Sequence, residues 1–196
     1  MRNLSSLCAL VALLFTSCAG NELVGVHISL QNDGSGLVTT RMLMEPQTTG
    51  SPEANAQGVT WKGRAGLVCA QGSFQQLRDL KLGGGSLHFV ADLEGVNTSL
   101  RVFVKRDPNA QWVRDLVPEQ TQRQAMARVY DPTGRTKEIG DVVRLEISVP
   151  GKVISSGVEP SGRGIESAHE SKRAYLLIPV RAALEKGNDL VWSVSW

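Results

Sequence analysis

The sequence predicts an α+β domain: a mostly antiparallel sheet of about seven strands with two or three short helices packed on it. Three observations carry this. Apolar and polar residues alternate strictly in several stretches, the period of a half-buried strand. Asn, Asp, Gly and Pro clusters separate those stretches, as turns require. Two segments instead space apolar residues three and four apart behind a capping residue. The chain has 196 residues, 41% hydrophobic and 20% charged, with a formal net charge of +2. That length suits one domain, which can bury about 70% of its unfolded surface without a metal or disulfide. The small net charge gives no reason to expect nucleic acid as a partner.

The first segment is not a domain element. Arg2 precedes an apolar run from Leu7 to Phe15. As a helix it rises about 13 Å, far short of the roughly 30 Å of a bilayer core. It has the length of an export signal's apolar region. Residues 1–17 are therefore read as a signal peptide and 18–196 as a single extracytoplasmic domain. No later stretch approaches 18 apolar residues, so no transmembrane helix is expected.

The elements then follow in order. Val24, Val26, Ile28 and Leu30 share one strand face, with His27 and Ser29 opposite. Asn32-Asp33-Gly34-Ser35-Gly36 is a hairpin turn signal, and residues 37–44 return with Val38, Met42 and Met44 on one face. Residues 45–58 read as an exposed loop. Residues 59–69 are ambiguous, because Gly63 and Gly66 weaken a strand. Ser73 and Gln76 fit a capping box opening a helix with Phe74, Leu77 and Leu80 on one face. Gly83-Gly84-Gly85 would end that helix. A phosphate-cradling role does not fit, since the loop follows a helix and lacks the Lys and Ser/Thr of a P-loop.

Leu87, Phe89, Ala91 and Leu93 predict a strand, as do Leu100, Val102 and Val104. Asp107-Pro108 predicts a second helix with Trp112, Val113, Leu116 and Val117 as its stripe, restarted or kinked at Pro118 and running to about Val129. Residues 131–134 are a turn. Val143, Leu145, Ile147 and Val149 alternate with Arg144, Glu146 and Ser148 in a further strand. Pro150-Gly151 leads to Val153 and Ile154. Residues 159–173 read as a polar loop. A strand over 175–180 is interrupted by Pro179, which predicts an edge. Leu190, Trp192, Val194 and Trp196 close the chain on one strand face.

Leu14-Phe15-Thr16-Ser17-Cys18 resembles the bacterial lipobox, in which a diacylglycerol joins the Cys sulfur and the chain is cut just before it. The resemblance implies lipidation at Cys18. Small side chains at Thr16 and Ser17 give a peptidase access, and the thiol takes the lipid. Two or three acyl chains hold a protein stably at a membrane, whereas one is marginal. Ala19, not Asp, follows Cys18, which resembles the signal for the outer membrane over the inner in Gram-negative cells. An ordinary signal peptide cut near Gly20 is the alternative.

The mature chain resembles the LppM-type domain of bacterial lipoproteins. The residues that carry this are the opening apolar strand, the Asn32–Gly36 turn, Pro150-Gly151-Lys152-Val153 and the closing strand with Trp192. It covers residues 22–44 and 142–196. It implies an α+β domain held at a membrane that binds a lipid or glycolipid.

No catalytic, cofactor or metal-ligating residues are assigned. His27 and His88 fall on polar strand faces, and His169 lies beside Glu166 and Glu170 without the second His of a zinc helix. Cys69, with Leu67 and Val68, reads as a buried thiol. Placing Gly34 as the glycine of a calcium loop puts Thr40 where the bidentate Glu belongs. The expectation is a membrane-anchored, non-enzymatic lipoprotein that binds a lipid or an envelope protein partner. The alternatives are a secreted protein carrying an apolar ligand in a cavity lined by Val26, Ile28, Met42, Met44, Trp192 and Val194, and an envelope enzyme.

Overall fold

The computed structural model describes residues 22–43, 60–64, 67–93, 98–121, 123–124 and 142–196. The leader with Cys18, the 45–58 loop and the 131–134 turn lie outside the described residues. The described strands are β1 (Glu22–Leu30), β2 (Gly36–Leu43), β3 (Thr60–Arg64), β4 (Leu67–Phe74), β5 (Leu87–Asp92), β6 (Ser99–Val104), β7 (Val142–Ser148), β8 (Ser155–Glu159), β9 (Glu166–Glu170), β10 (Arg173–Pro179) and β11 (Leu190–Ser195). Two short helices are α1 (Gln111–Leu116) and α2 (Val180–Ala183).

One sheet runs β3-β4-β2-β1-β7-β10-β9 and the other β5-β6-β11-β8. Neighbours are antiparallel except β1 and β7, which are parallel. The alternating residues explain the packing. Val26, Ile28, Leu145 and Ile147 of the large sheet face Leu87, Phe89, Val102 and Trp192 of the small one. All of them are buried. This is a sandwich of two sheets over a shared core.

The α+β expectation is thus overturned: the protein is mostly β, with two sheets in place of one helix-covered sheet. Three local readings account for the difference. The capping box at Ser73 does not form. Ser73 and Phe74 instead complete β4, which pairs with β2 from Leu67↔Leu43 to Phe74↔Gly36. A short helix bears its nucleation cost alone, while a strand on a formed neighbour does not. Only Leu77–Asp79 turn, as a 3-10 helix behind an extended Gln76 with no side-chain cap. Leu77 and Leu80 still reach the core.

The polar 159–173 loop contains β9, hydrogen-bonded to β10. Most of its side chains are exposed, so no apolar alternation marks it. That strand also removes the edge predicted for β10, which lies between β7 and β9. Pro179 ends β10 and caps α2 instead.

The second helix starts later than predicted but breaks at Pro118 as predicted. α1 ends at Leu116, and residues 120–121 and 123–124 are helical again, with Arg123 N donating to Glu119 O at 2.9 Å. Residues 125–129 lie outside the described residues. Asp107 does not cap α1: Asp107 Oδ1 accepts from Asn109 N at 2.8 Å, and Ala110 N donates to Asp107 O at 2.8 Å. This turn delays the helix to Gln111, but Trp112, Val113, Leu116 and Val117 are buried as their spacing predicts. Gly83–Gly85 forms a turn of its own, all three residues at positive φ. A Cβ on Gly83 would lie 2.2 Å from Trp112 Cβ, so the turn is packed directly on the α1 backbone.

Register fixes what lies at each end of the sandwich. Glu22 pairs with Val142, and Val142 with Pro179. Leu177 pairs with Glu166, and Glu159 with Val191. Leu190 pairs with Val104. The start of β1, helix α2, the 160–165 hairpin tip and the β6–α1 connection therefore share one end. The 31–35 turn, the end of β5 and the start of β6 share the other.

Candidate functional site

The residues singled out in the sequence do not converge. His27 lies on the outer face of the large sheet, His88 on β5 of the small sheet, and His169 on the outermost strand β9. His88 stacks on Phe103 with ring centroids 4.5 Å apart and planes 3° from parallel. His169 is exposed and pairs in register with Ala174. Cys69 stands in β4 opposite Arg41 and Lys62. No group of three or more His, Cys, Asp or Glu is placed to hold a metal among the described residues. Cys18 lies outside them.

What the structure does assemble is a polar network on the outer face of β1, β7 and β10. Glu146 is its hub. Arg144 Nη2 donates to Glu146 Oε2 at 3.0 Å, and Arg173 Nη1 approaches Oε1 at 3.6 Å. His27 Nε2 stands 4.0 Å from the same Oε1 and 2.8 Å from Ser148 Oγ. The Arg144 guanidinium lies 4.3 Å above the Tyr175 ring, a cation–π contact. A Ser–His–acid relay needs the acid on the ring nitrogen opposite the serine. Here one nitrogen faces both groups, so the arrangement positions His27 and does not build that relay. Alternation had placed Arg144, Glu146 and Ser148 on one face. Arg144 and Glu146 pair with each other, as that shared face allows, but His27, Arg173 and Tyr175 come from other strands, which spacing does not reveal.

An open groove of about 440 Å³ lies at the turn end, between the 31–35 turn, residues 76–78 and the end of β5. Leu77, Ala91 and Leu93 supply apolar lining, and Asp33, Gln76, Arg78 and Asp92 supply polar groups. The Asp33 carboxylate is preset. Ser35 Oγ donates to Asp33 Oδ1 at 2.7 Å and Ser35 N at 3.0 Å. The hydroxyl first, and the main-chain N–H second, hold this carboxyl below the ordinary Asp value. The groove has the size of a small-molecule site and an amphipathic lining.

Between the sheets at Trp192 the described residues pack closely. The void between the sheets at Val26, Ile28 and Trp192 is about 10 Å³, about enough for one water. Val194 is buried, and the Met42 and Met44 side chains lie outside the described residues. No helix among the described residues is long and apolar enough to cross a membrane.

No family model matches the sequence, and no curated protein matches it. Among solved structures, the fold is similar to the folded domain of the LppM protein of Mycobacterium tuberculosis, determined by NMR. The TM-score is 0.45 and the identity 12%, over 90% of each chain. No residue role is carried across.

Proposed function

We propose that this chain is a lipid-anchored protein of a bacterial envelope, with a non-enzymatic extracytoplasmic domain that binds at its surface. The observation that carries the reading is the apolar run Leu7–Phe15 followed by Thr16-Ser17-Cys18, four residues before β1 starts at Glu22. Thioether-linked diacylglycerol on Cys18, with a further acyl chain where the amine is acylated, anchors the protein stably. Ala19 favours the outer membrane where a cell has two.

From Cys18 to Glu22 the chain extends at most about 17 Å. The domain then rides close to the bilayer with the β1-start end toward it, and the 31–35 groove faces away. Because the void between the sheets at Trp192 is too small for an acyl chain, we assign ligand binding to the open groove at the turn end. Its occupant is an amphipathic ligand or an envelope partner.

The test is fractionation and intact mass. The wild-type protein sediments with membranes and carries the mass of a diacylglycerol on a chain starting at Cys18. Cys18→Ser moves it to the soluble fraction or leaves it unprocessed. A wild-type chain that is soluble, unmodified and still begins at Met1 refutes the reading.

A further inference from the structure

Arg106 is the buried charged residue of the described fold, 6% exposed. Among the described residues its Nε and Nη2 have no hydrogen-bond partner. A buried guanidinium with unpaired N–H groups is strongly unfavourable and calls for an acceptor. Three acids of the adjoining segments each make another contact, and none bonds Nε or Nη2. Asp189 Oδ1 accepts from the Arg106 main-chain N at 3.1 Å. Glu185 pairs with Arg163, and Asp107 Oδ1 accepts from Asn109 N.

The group is covered by the loop of residues 184–189, between α2 and β11. A Cβ on Gly187 would lie 2.7 Å from Cζ, 2.8 Å from Nη1 and 2.9 Å from Nη2 of Arg106. Near-equal distances put Gly187 over the flat face of the guanidinium, where only glycine fits. Gly187 N also donates to Arg106 O at 3.1 Å. Every residue of this loop is exposed. Beyond Leu184, whose N donates to Val180 O at 3.0 Å, two hydrogen bonds to the Arg106 main chain and an exposed ion pair hold it, and such contacts are individually weak.

We infer that the Nε/Nη2 edge of Arg106 is a phosphate site, reached when the 184–189 loop lifts. A guanidinium edge offers two parallel donors that match two oxygens of one phosphate. The site lies at the end of the sandwich where β1 starts. If the lipid-anchor reading holds, that end faces headgroups. The phosphate is then that of a lipid or a free phosphate, and the chemistry is shared.

The test is thermal unfolding of the purified full chain in sodium phosphate against sodium chloride at matched ionic strength. Dihexanoyl phosphatidic acid, below its micelle concentration, serves as the lipid phosphate. At about tenfold excess over Kd the midpoint rises by about 3–6 °C. Arg106→Lys keeps a charge, loses the two-donor edge and weakens the response at least tenfold. If that variant does not fold, the Arg106 Nε–H resonance of the wild type reads the site: phosphate shifts it and chloride does not. Tenfold tighter binding of the lipid assigns a headgroup, and equal binding assigns free phosphate. A midpoint indifferent to both, or an Arg106→Lys variant that responds like wild type, overturns the proposal. These outcomes do not depend on where Cys18→Ser fractionates, so either idea can fail alone.

Discussion

Trp192 offers a sharp test of how the two sheets are joined. Its indole Nε1–H is shared between Ser156 Oγ at 2.9 Å and Ser167 Oγ at 3.1 Å, and the two hydroxyls lie 2.6 Å apart. Ser156 belongs to β8 of the small sheet and Ser167 to β9 of the large one. Trp192 itself is fully buried. Replacing either serine by alanine leaves the indole one acceptor, at a cost of about 0.5–1.5 kcal/mol. Replacing both orphans a buried donor, and the cost rises to about 1–3 kcal/mol beyond the sum of the singles where the coupling is strong. For a domain of this size each kcal/mol lowers the midpoint by about 2–4 °C. The assay is urea unfolding followed by circular dichroism, with the slope required to stay constant so that the midpoint reports stability. In a Trp192→Phe background, where no N–H remains to orphan, that excess vanishes, and the bond between the two hydroxyls leaves the double variant costing no more than the sum of its singles. A double variant no less stable than the sum of its singles in the Trp192 background refutes the staple.

Two further outcomes follow from turns. Gly83→Ala places a methyl on the Trp112 backbone at a left-handed φ, and costs about 2–5 kcal/mol by urea unfolding. Gly85→Ala, with positive φ but nothing within 4 Å, costs only about 1–2 kcal/mol, and equal losses would remove the packing argument. Asp33 has a folded pKa below its unfolded value, so its contribution is full above about pH 4 and fades as the pH falls through the lowered folded value. Wild type should therefore exceed Asp33→Asn in thermal midpoint at pH 6, with the gap closing toward pH 3; a gap constant with pH contradicts the Ser35 hydrogen bonds as its source.

How much of this was legible depended on whether a residue's environment is set nearby or far away in sequence. Residues 24–30 and 143–149 were readable because each strand buries one face, so alternation records the burial directly. The Asn32–Gly36 turn was readable because its backbone demands those residue types. β9 was not, because a strand with both faces largely in solvent leaves no hydrophobic record. It is held by the row of main-chain bonds to β10 and by Ser167, neither of which leaves an apolar pattern. Ser73–Gln76 misled because a local capping signal lost to pairing with β2, some 35 residues earlier. Glu146 and Arg106 show the same limit for function. His27 and Ser148 meet across 121 residues, and nothing about a polar residue two positions past β6 marks Arg106 as buried.

A filled sandwich constrains where recognition can occur. The void between the sheets at Trp192 is about 10 Å³, so no ligand larger than water enters there without separating them. One side is closed where β8 meets β9 through the Trp192 staple. On the other, the 77–82 segment runs beside β5 and bridges it at Leu82↔Leu87. Among the described residues the two ends carry the features that could bind, and they differ in kind. The turn end carries an open, amphipathic groove with a preset carboxylate. The β1-start end carries a covered cation whose exposure requires a loop to move. A short tether at residue 22 would hold these ends in different surroundings, one at the bilayer and one turned from it. The covered site would then respond to what lies at the membrane surface, and the open one to what the surrounding compartment presents. That division follows from the register of β1 against β7 and β10, and it would be lost if the anchor sat at the opposite end of β1.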